Sequence, residues 1–222
     1  SVHSVSNIAT EVYVYNPNAT AITVTCRSLY STSRIDVAAN TTGIFTMPTN
    51  SGAVFYTTNG LSFVAISATD AGKAIALNQA YDWGCSLIPV RALTTVSIVP
   101  WAPGAGGNPL ASRNGNPIWI TAESNTTLYI DLDGNSLTGP LTDAYGRRYD
   151  YHTNLLALQS IRVSDTNDND QTGMRIYTLD GVKFATIWGQ DPAVALTGNP
   201  YLDMGAAVFP FPTAVSYTHL TL

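Results

Sequence analysis

Residues 52 to 89 of this chain recur, without a gap, as residues 173 to 210. At a constant offset of 121, identical residues pair as Gly52/Gly173, Tyr56/Tyr177, Thr57/Thr178, Gly60/Gly181, Phe63/Phe184, Ile66/Ile187, Asp70/Asp191, Ala74/Ala195, Asn78/Asn199, Asp82/Asp203, Gly84/Gly205 and Pro89/Pro210. A chain that repeats itself in this way is expected to build one small fold twice. Residues matched between the copies then belong to a shared scaffold, and residues present in one copy only are where an added function is sought.

Upstream, VYVYNPNATAITVT from Val12 aligns with IWITAESNTTLYID from Ile118 at an offset of 106. The second copy has therefore gained fifteen residues net between Asp131 and Gly173, a stretch that holds the Asp- and Gly-rich segments DLDGNSLTGPLTD and DTNDNDQTG. The expected organisation is a first repeat over 1–100, a Gly/Pro/Asn-rich linker or long loop over 101–117, a second repeat over 118–214, and a tail over 215–222 that reads as non-native sequence.

Strand signals recur at short spacing, through EVYVY, TAITVTC, GIFTM, AVFYTT, LSFVAIS and TTVSIVPW, and then NPIWITA, TTLYIDL, GMRIYTL and VKFATIWG. Apolar and polar residues largely alternate in them, and turn residues such as Asn16-Pro17 and Thr58-Asn59-Gly60 stand between. This predicts antiparallel strands with one buried face. Asn59-Gly60 and Asp180-Gly181 predict two-residue hairpin turns with positive φ. Only KAIALNQA, 73 to 80, suggests a helical turn. The expected fold class is all-β, in two tandem β-sandwich-like repeats of about a hundred residues each. Tyr56, Phe63 and Ile66, with Tyr177, Phe184 and Ile187, are expected at corresponding core or sheet positions. One closed assembly of both repeats is the alternative.

Charged residues make up 11% of the chain, and of the acids thirteen are Asp and two Glu. Asp belongs to turns and cation loops, whereas helices favour Glu. With a net charge of −5 and no basic stripe, nucleic acid and anionic membrane surfaces are poor partners. No apolar run approaches a membrane span, so no membrane insertion is expected. Cys26 and Cys85 both fall in the first copy, opposite Leu132 and Ala206 of the second, and form either a disulfide there or two buried thiols.

Chemistry is expected in the insert. Asp165, Asn167, Asp168 and Asp170 offer closely spaced oxygens on a loop that Gly173 closes, and Asp131 and Asp133 add carboxylates beside Gly134; Asp143 and Asp150 are further donors. Calcium takes six to eight such oxygens, although the EF-hand spacing is absent. The competing reading is solvated turns whose Asp and Asn side chains accept backbone hydrogen bonds. A second candidate is YGRRYDY, where Tyr145, Arg147, Arg148 and Tyr149 are the residue types that anchor protein or glycan contacts. Trp83, Trp101, Trp119 and Trp188 offer an alternative aromatic platform, with Trp119 more naturally a core or sheet residue. A hydrolase would have to use His152 with Asp131 or Asp133, since His3 lies at the ragged start and His219 in the suspect tail, and no strained G-x-S-x-G elbow accompanies it.

The segments ITAESNTTLYIDLDG, QTGMRIYTLDGVKFATIWG, VPWAPG, WGQDPA and NPYLD, with the closing FPFP, resemble the N-terminal-domain module of IgG Fc-binding protein and related β-modules of large bacterial surface proteins. The likeness covers residues 81 to 212 best. It implies a secreted or cell-surface β-module of a longer multidomain chain, often followed by stalk repeats, and it carries over no catalytic residues. Function is accordingly expected to be non-enzymatic, either adhesive and ligand-binding or structural.

Overall fold

The computed structural model describes residues 10–48, 50–69, 83–102, 117–165, 167–168, 170–189 and 205–208. The matched pairs Asp70/Asp191, Ala74/Ala195, Asn78/Asn199 and Asp82/Asp203, the helical signal at 73–80, most of the expected linker and the tail lie outside them. The described chain is all-β. Apart from a 3-10 turn at Val90–Ala92 it holds no helix, and none long and apolar enough to cross a membrane.

In the first unit β1 (Thr10–Tyr15), β4 (Thr42–Met47), β6 (Val64–Thr69) and β7 (Trp83–Ser86) form a sheet in the order β4-β1-β6-β7. A second sheet runs β3-β2-β5, with β2 at Ile22–Ser28, β3 at Thr32–Val37 and β5 at Ala53–Thr57. The alternation decides which face is inside: Val12 and Val14 from one sheet meet Ile22, Val24 and Cys26 from the other in a single cluster. Phe45 crosses the layer to Phe55, ring centroids 5.4 Å apart.

The second unit repeats the strand order. Here β9 (Ile118–Ala122), β14 (Ser160–Val163), β16 (Phe184–Gly189) and β17 (Gly205–Val208) run β14-β9-β16-β17. Opposite them, β10 (Thr126–Asp131), β13 (Tyr151–Leu155) and β15 (Arg175–Tyr177) run β13-β10-β15. A two-stranded hairpin, β11 (Leu141–Thr142) and β12 (Arg148–Tyr149), has no counterpart in the first unit.

The registers locate the length difference. Tyr13 opposes Ile66, and Trp119 opposes Ile187, which keeps the 106 offset for the first strand of each unit. Tyr56 opposes Thr25, however, whereas Tyr177 opposes Tyr129, a shift of 104 between Thr25 and Tyr129. The turn before β2 is thus two residues longer, and the residue at the place of Cys26 is Ile130, not Leu132. Asn16 organises that longer turn, its buried amide donating to the carbonyls of Thr20, Val37 and Ala38 at 2.9 to 3.1 Å. Ile44 opposes Tyr13 as Arg162 opposes Trp119, a shift of 118. The insert carrying β11 and β12 therefore adds fourteen residues, and the loop before Gly173 adds three.

Three expectations need correction. The turns at Asn59-Gly60 and Asp180-Gly181 do not make hairpins within one sheet, because the strands on either side belong to opposite sheets. Gly60 (φ 75°) and Gly181 (φ 82°) are left-handed, but the preceding Asn and Asp serve as acceptors: Asn59 Oδ1 receives Leu61 N–H at 3.2 Å and Asp180 Oδ1 receives Val182 N–H at 3.1 Å.

The second correction concerns the strand of TTVSIVPW. Instead of closing the first unit, β8 (Val96–Ile98) joins the outer edge of β15, Ile98 opposite Arg175 and Val96 opposite Tyr177. The ladder continues as Val99 N–H donates to the Met174 carbonyl at 2.9 Å and Gln171 N–H to the Ala102 carbonyl at 2.9 Å. Val99 and Ala102 are wholly buried in the second core, so Ala102, read as linker, is core, while half-exposed Trp101 only meets Trp188 edge-on. Burying an aliphatic side chain of this size contributes about 1.5 to 3 kcal/mol, which an otherwise open sheet edge provides.

The third concerns burial at matched positions. Tyr177 and Ile187 are 1% and 2% exposed, while Tyr56 and Ile66 are 40% and 44% exposed. Both differences have a cover as their cause. The insert hairpin lies over Tyr177, and Trp83 and Cys85 of the first unit pack with Trp119 and Ile187 of the second. β9 and β16 are consequently buried on both faces. The Trp83 ring sits against a glycine pair, Gly189 opposite Gly205, where a Cβ would fall 2.4 and 1.9 Å from the ring.

Candidate functional site

The site expected in the insert divides into an aromatic face and an acidic loop pair, joined through Arg175. On the outward face of β13-β10-β15, the registers set His152 beside Tyr129 and Tyr129 beside Tyr177. Tyr129 stacks on Tyr177 with centroids 5.3 Å apart and meets Tyr149 edge-on at 5.1 Å. An aromatic row on a solvent face would be costly to leave bare, and the hairpin of β11 and β12 closes over it.

Asp143 pins that hairpin. Its Oδ1 accepts the N–H groups of Tyr145 (2.8 Å) and Arg147 (3.0 Å), and its Oδ2 accepts Arg147 Nε (2.7 Å) and the Tyr177 hydroxyl (3.0 Å). Burial pulls the Asp143 carboxyl up, but the hydrogen bonds from Arg147, Tyr145 and Tyr177 outweigh it and hold the group below the ordinary range. Burial, with the Asp143 contact, pushes the Tyr177 phenol well up. The Arg147 guanidinium lies 4.5 Å over the Tyr177 ring and 5.3 Å from that of Tyr145, while Gly146 (φ 79°) turns the chain between them.

The four residues of the expected contact surface thus separate. Tyr145 is 74% exposed at the hairpin tip. Arg147 is half-buried and held by Asp143, and exposed Arg148 donates through its guanidinium to the Gly139 carbonyl. Tyr149 is 6% exposed and faces Tyr129 inside the stack, so it is a packing residue and not a ligand contact. On β12 it stands opposite Leu141, and its inward position is given by the edge-on contact with Tyr129.

The tryptophans do not form a platform. Trp83, Trp119 and Trp188 are 4 to 5% exposed, and only Trp101 is open, meeting Trp188 edge-on at 5.0 Å. His152 is exposed, its Nδ1 3.4 Å from the Tyr149 hydroxyl; His3 and His219 lie outside the described residues.

The two acidic segments do meet. Gly134 (φ 67°) packs so closely on Gly173 that a Cβ there would fall 2.0 Å from the Gly173 carbonyl oxygen. Asp131 is buried at the end of β10, opposite Arg175, and accepts Gly134 and Ser136 N–H at 2.9 Å each. Arg175 reaches on to Ser136 Oγ at 2.5 Å and lies 5.2 Å from the Tyr177 ring, linking the acidic loops to the aromatic face. Burial first, and then the neighbouring Asp150, push the Asp131 carboxyl above its usual range against these hydrogen bonds. Asp165 is also buried and raised, through burial and the charges of Asp168, Asp133 and Asp150. Burial together with Asp165 and Asp150 pushes the Tyr151 phenol up to about 12.

Asn167, Asp168 and Asp170 are exposed. Asp165 accepts Asn167 N–H at 2.7 Å, Asp168 accepts Asp170 N–H at 2.9 Å, and Asp170 accepts Thr172 N–H at 2.8 Å. These are the turn roles of the competing reading. Among the described residues no three side chains of His, Cys, Asp or Glu converge as a metal set. Asp165, Asp168 and Asp170 each spend one oxygen on a backbone N–H, and the neighbouring charges of Asp168, Asp133 and Asp150 add to burial in raising the Asp165 carboxyl. Asp143 and Asp150 are the participants that spacing alone undervalued; Asp150 Oδ2 accepts Leu132 N–H at 2.7 Å and sits between the two acidic segments. Both precede or follow the Arg-Tyr run, the one available signal.

Cys26 and Cys85 are free thiols, buried in different clusters, and burial raises each to about 11. No protein-family model, curated protein or solved structure matches the chain.

Proposed function

We propose that this chain is a non-enzymatic extracellular β-module of a longer bacterial surface or secreted protein, and that its second unit binds a protein or glycan ligand through the insert hairpin. One observation carries the reading. Tyr145 stands in solvent on a hairpin whose next turn is fixed by four hydrogen bonds to Asp143 and by Arg147 lying over Tyr177. A rigid aromatic anchor beside cations loses little entropy on binding. The acidic loops beside it take calcium, with Asp131, Asp133, Asp165, Asn167, Asp168 and Asp170 as its oxygen donors, which relieves the crowding of carboxylates around Asp165 and Asp150.

The labelled chain, screened against arrayed glycans and immobilised matrix proteins, is expected to give binders that Tyr145→Ala and Arg148→Ala weaken at least tenfold without change in melting temperature. Undiminished binding by both variants would refute the site. A structural stalk is the second reading, favoured by the strand that passes from one unit into the sheet of the other; it predicts no binder at all.

A further inference from the structure

The edge of β15 that β8 occupies has a counterpart on the first unit, the outer edge of β5, and among the described residues no strand pairs there. In the second unit the added segment does two things. It completes the ladder from Thr95 to Ala102, and it lowers Val99 into the core cluster that holds Met174, Ile176, Phe184 and Val208. These four are 0 to 5% exposed. At the 121 offset their counterparts are Ala53, Phe55, Phe63 and Leu87. Those residues line an open groove of about 330 Å³ beside β5, in which Phe55, Phe63 and Leu87 are only partly buried. Where the second unit has Met174, the first has the smaller Ala53, which leaves the groove wider.

The other contact between the units has an open counterpart too. Trp83 and Cys85 pack with Trp119 and Ile187, but the matching face of the first unit carries Ile66, 44% exposed, flanked by Ile44 (47%) and Val64 (54%). Both surfaces through which the second unit receives the first therefore have more exposed counterparts among the described residues of the first unit.

We infer that the first unit is itself an acceptor. The edge of β5 and its groove take an extended strand with the chemistry of Thr94–Val99, small hydroxyl residues interleaved with Val and Ile, supplied by another unit of the same kind. Main-chain hydrogen bonds to β5 give the affinity, and a Val99-like side chain among Phe55, Phe63 and Leu87 sets the register. Addition is head-to-tail, so it extends into an array without closing. The segment ends before Gly52, whose N–H is already given to the Leu158 carbonyl at 2.7 Å.

The test uses the full chain extended at its N-terminus by a second copy of Ala92–Ala102 on a flexible Gly/Ser linker of about 20 residues, which holds the strand at roughly millimolar effective concentration. Hydrogen exchange at the Ala53–Thr57 amides is expected to slow at least tenfold relative to the unextended chain. The same extension with Val99→Asp and Ile98→Pro in the added copy is expected to give no slowing. Unchanged exchange with the intact extension overturns the inference, as does equal protection by the altered one. Protection already present in the unextended chain, with a dimeric mass by light scattering, assigns the edge to a second whole chain and also overturns it.

Discussion

The Tyr177 hydroxyl donates to Asp143 Oδ2 at 3.0 Å, tying a strand of the second sandwich to the hairpin that covers it. Because the Asp143 carboxyl is held below its ordinary range, its ionised form stabilises the fold. That stability is present above the unfolded carboxylate value of about 4 and is lost as pH falls through the lower folded value. Asp143→Asn is expected to cost about 1 to 3 kcal/mol in urea unfolding at neutral pH. The gap from the native chain should narrow as pH falls below the unfolded carboxylate value, and a variant of unchanged stability at neutral pH would count against the pinning role.

Trp83 and the Gly189/Gly205 pair form one contact. Removing the ring in Trp83→Ala is expected to cost about 3 to 5 kcal/mol, and Gly205→Ala should destabilise because its methyl enters the ring's place. In the Trp83→Ala background the cost of Gly205→Ala should largely vanish. Strictly additive effects in that double-mutant cycle would mean that ring and glycine do not meet.

The raised Asp131 and Asp165 carboxyls act in the opposite sense to Asp143. A carboxyl whose folded pKa lies above its unfolded value burdens the fold once ionised, and the burden lifts as pH falls through the raised value. In EDTA at neutral pH, Asp165→Asn is therefore expected to raise the melting temperature by a few degrees. Calcium should raise the native chain's midpoint and leave that of Asp165→Asn nearly unmoved. Identical native melts in calcium and in EDTA would remove calcium from the account.

Cys26 and Cys85, each raised to about 11, expose little thiolate at pH 8. A thiol reagent should modify neither in the folded chain within minutes and both in guanidinium. Fast labelling of one in the folded state would show that its burial is wrong.

Much of this was legible in the chain. Alternation in ITVTCRS marks Ile22, Val24 and Cys26 as the inner face, and the Asp- and Gly-rich insert is where the two units differ. What escaped is what depends on partners distant in sequence. Nothing local distinguishes TTVSIVPW as a strand of its own unit from one lent to the next, since the alternation is the same either way. Likewise Tyr149 reads as an exposed anchor beside Arg148 until the folded hairpin sets its ring against Tyr129. Trp83 looks available until Gly189 and Gly205, more than a hundred residues on, open a seat for it.

The hairpin's role is tested most directly by replacing residues 137–149 with a short Gly/Ser turn and measuring binding to any glycan or protein retained by the intact chain. A β-rich circular dichroism spectrum is expected to persist while binding is lost. A trimmed chain that folds and still binds with the affinity of the intact one would contradict it.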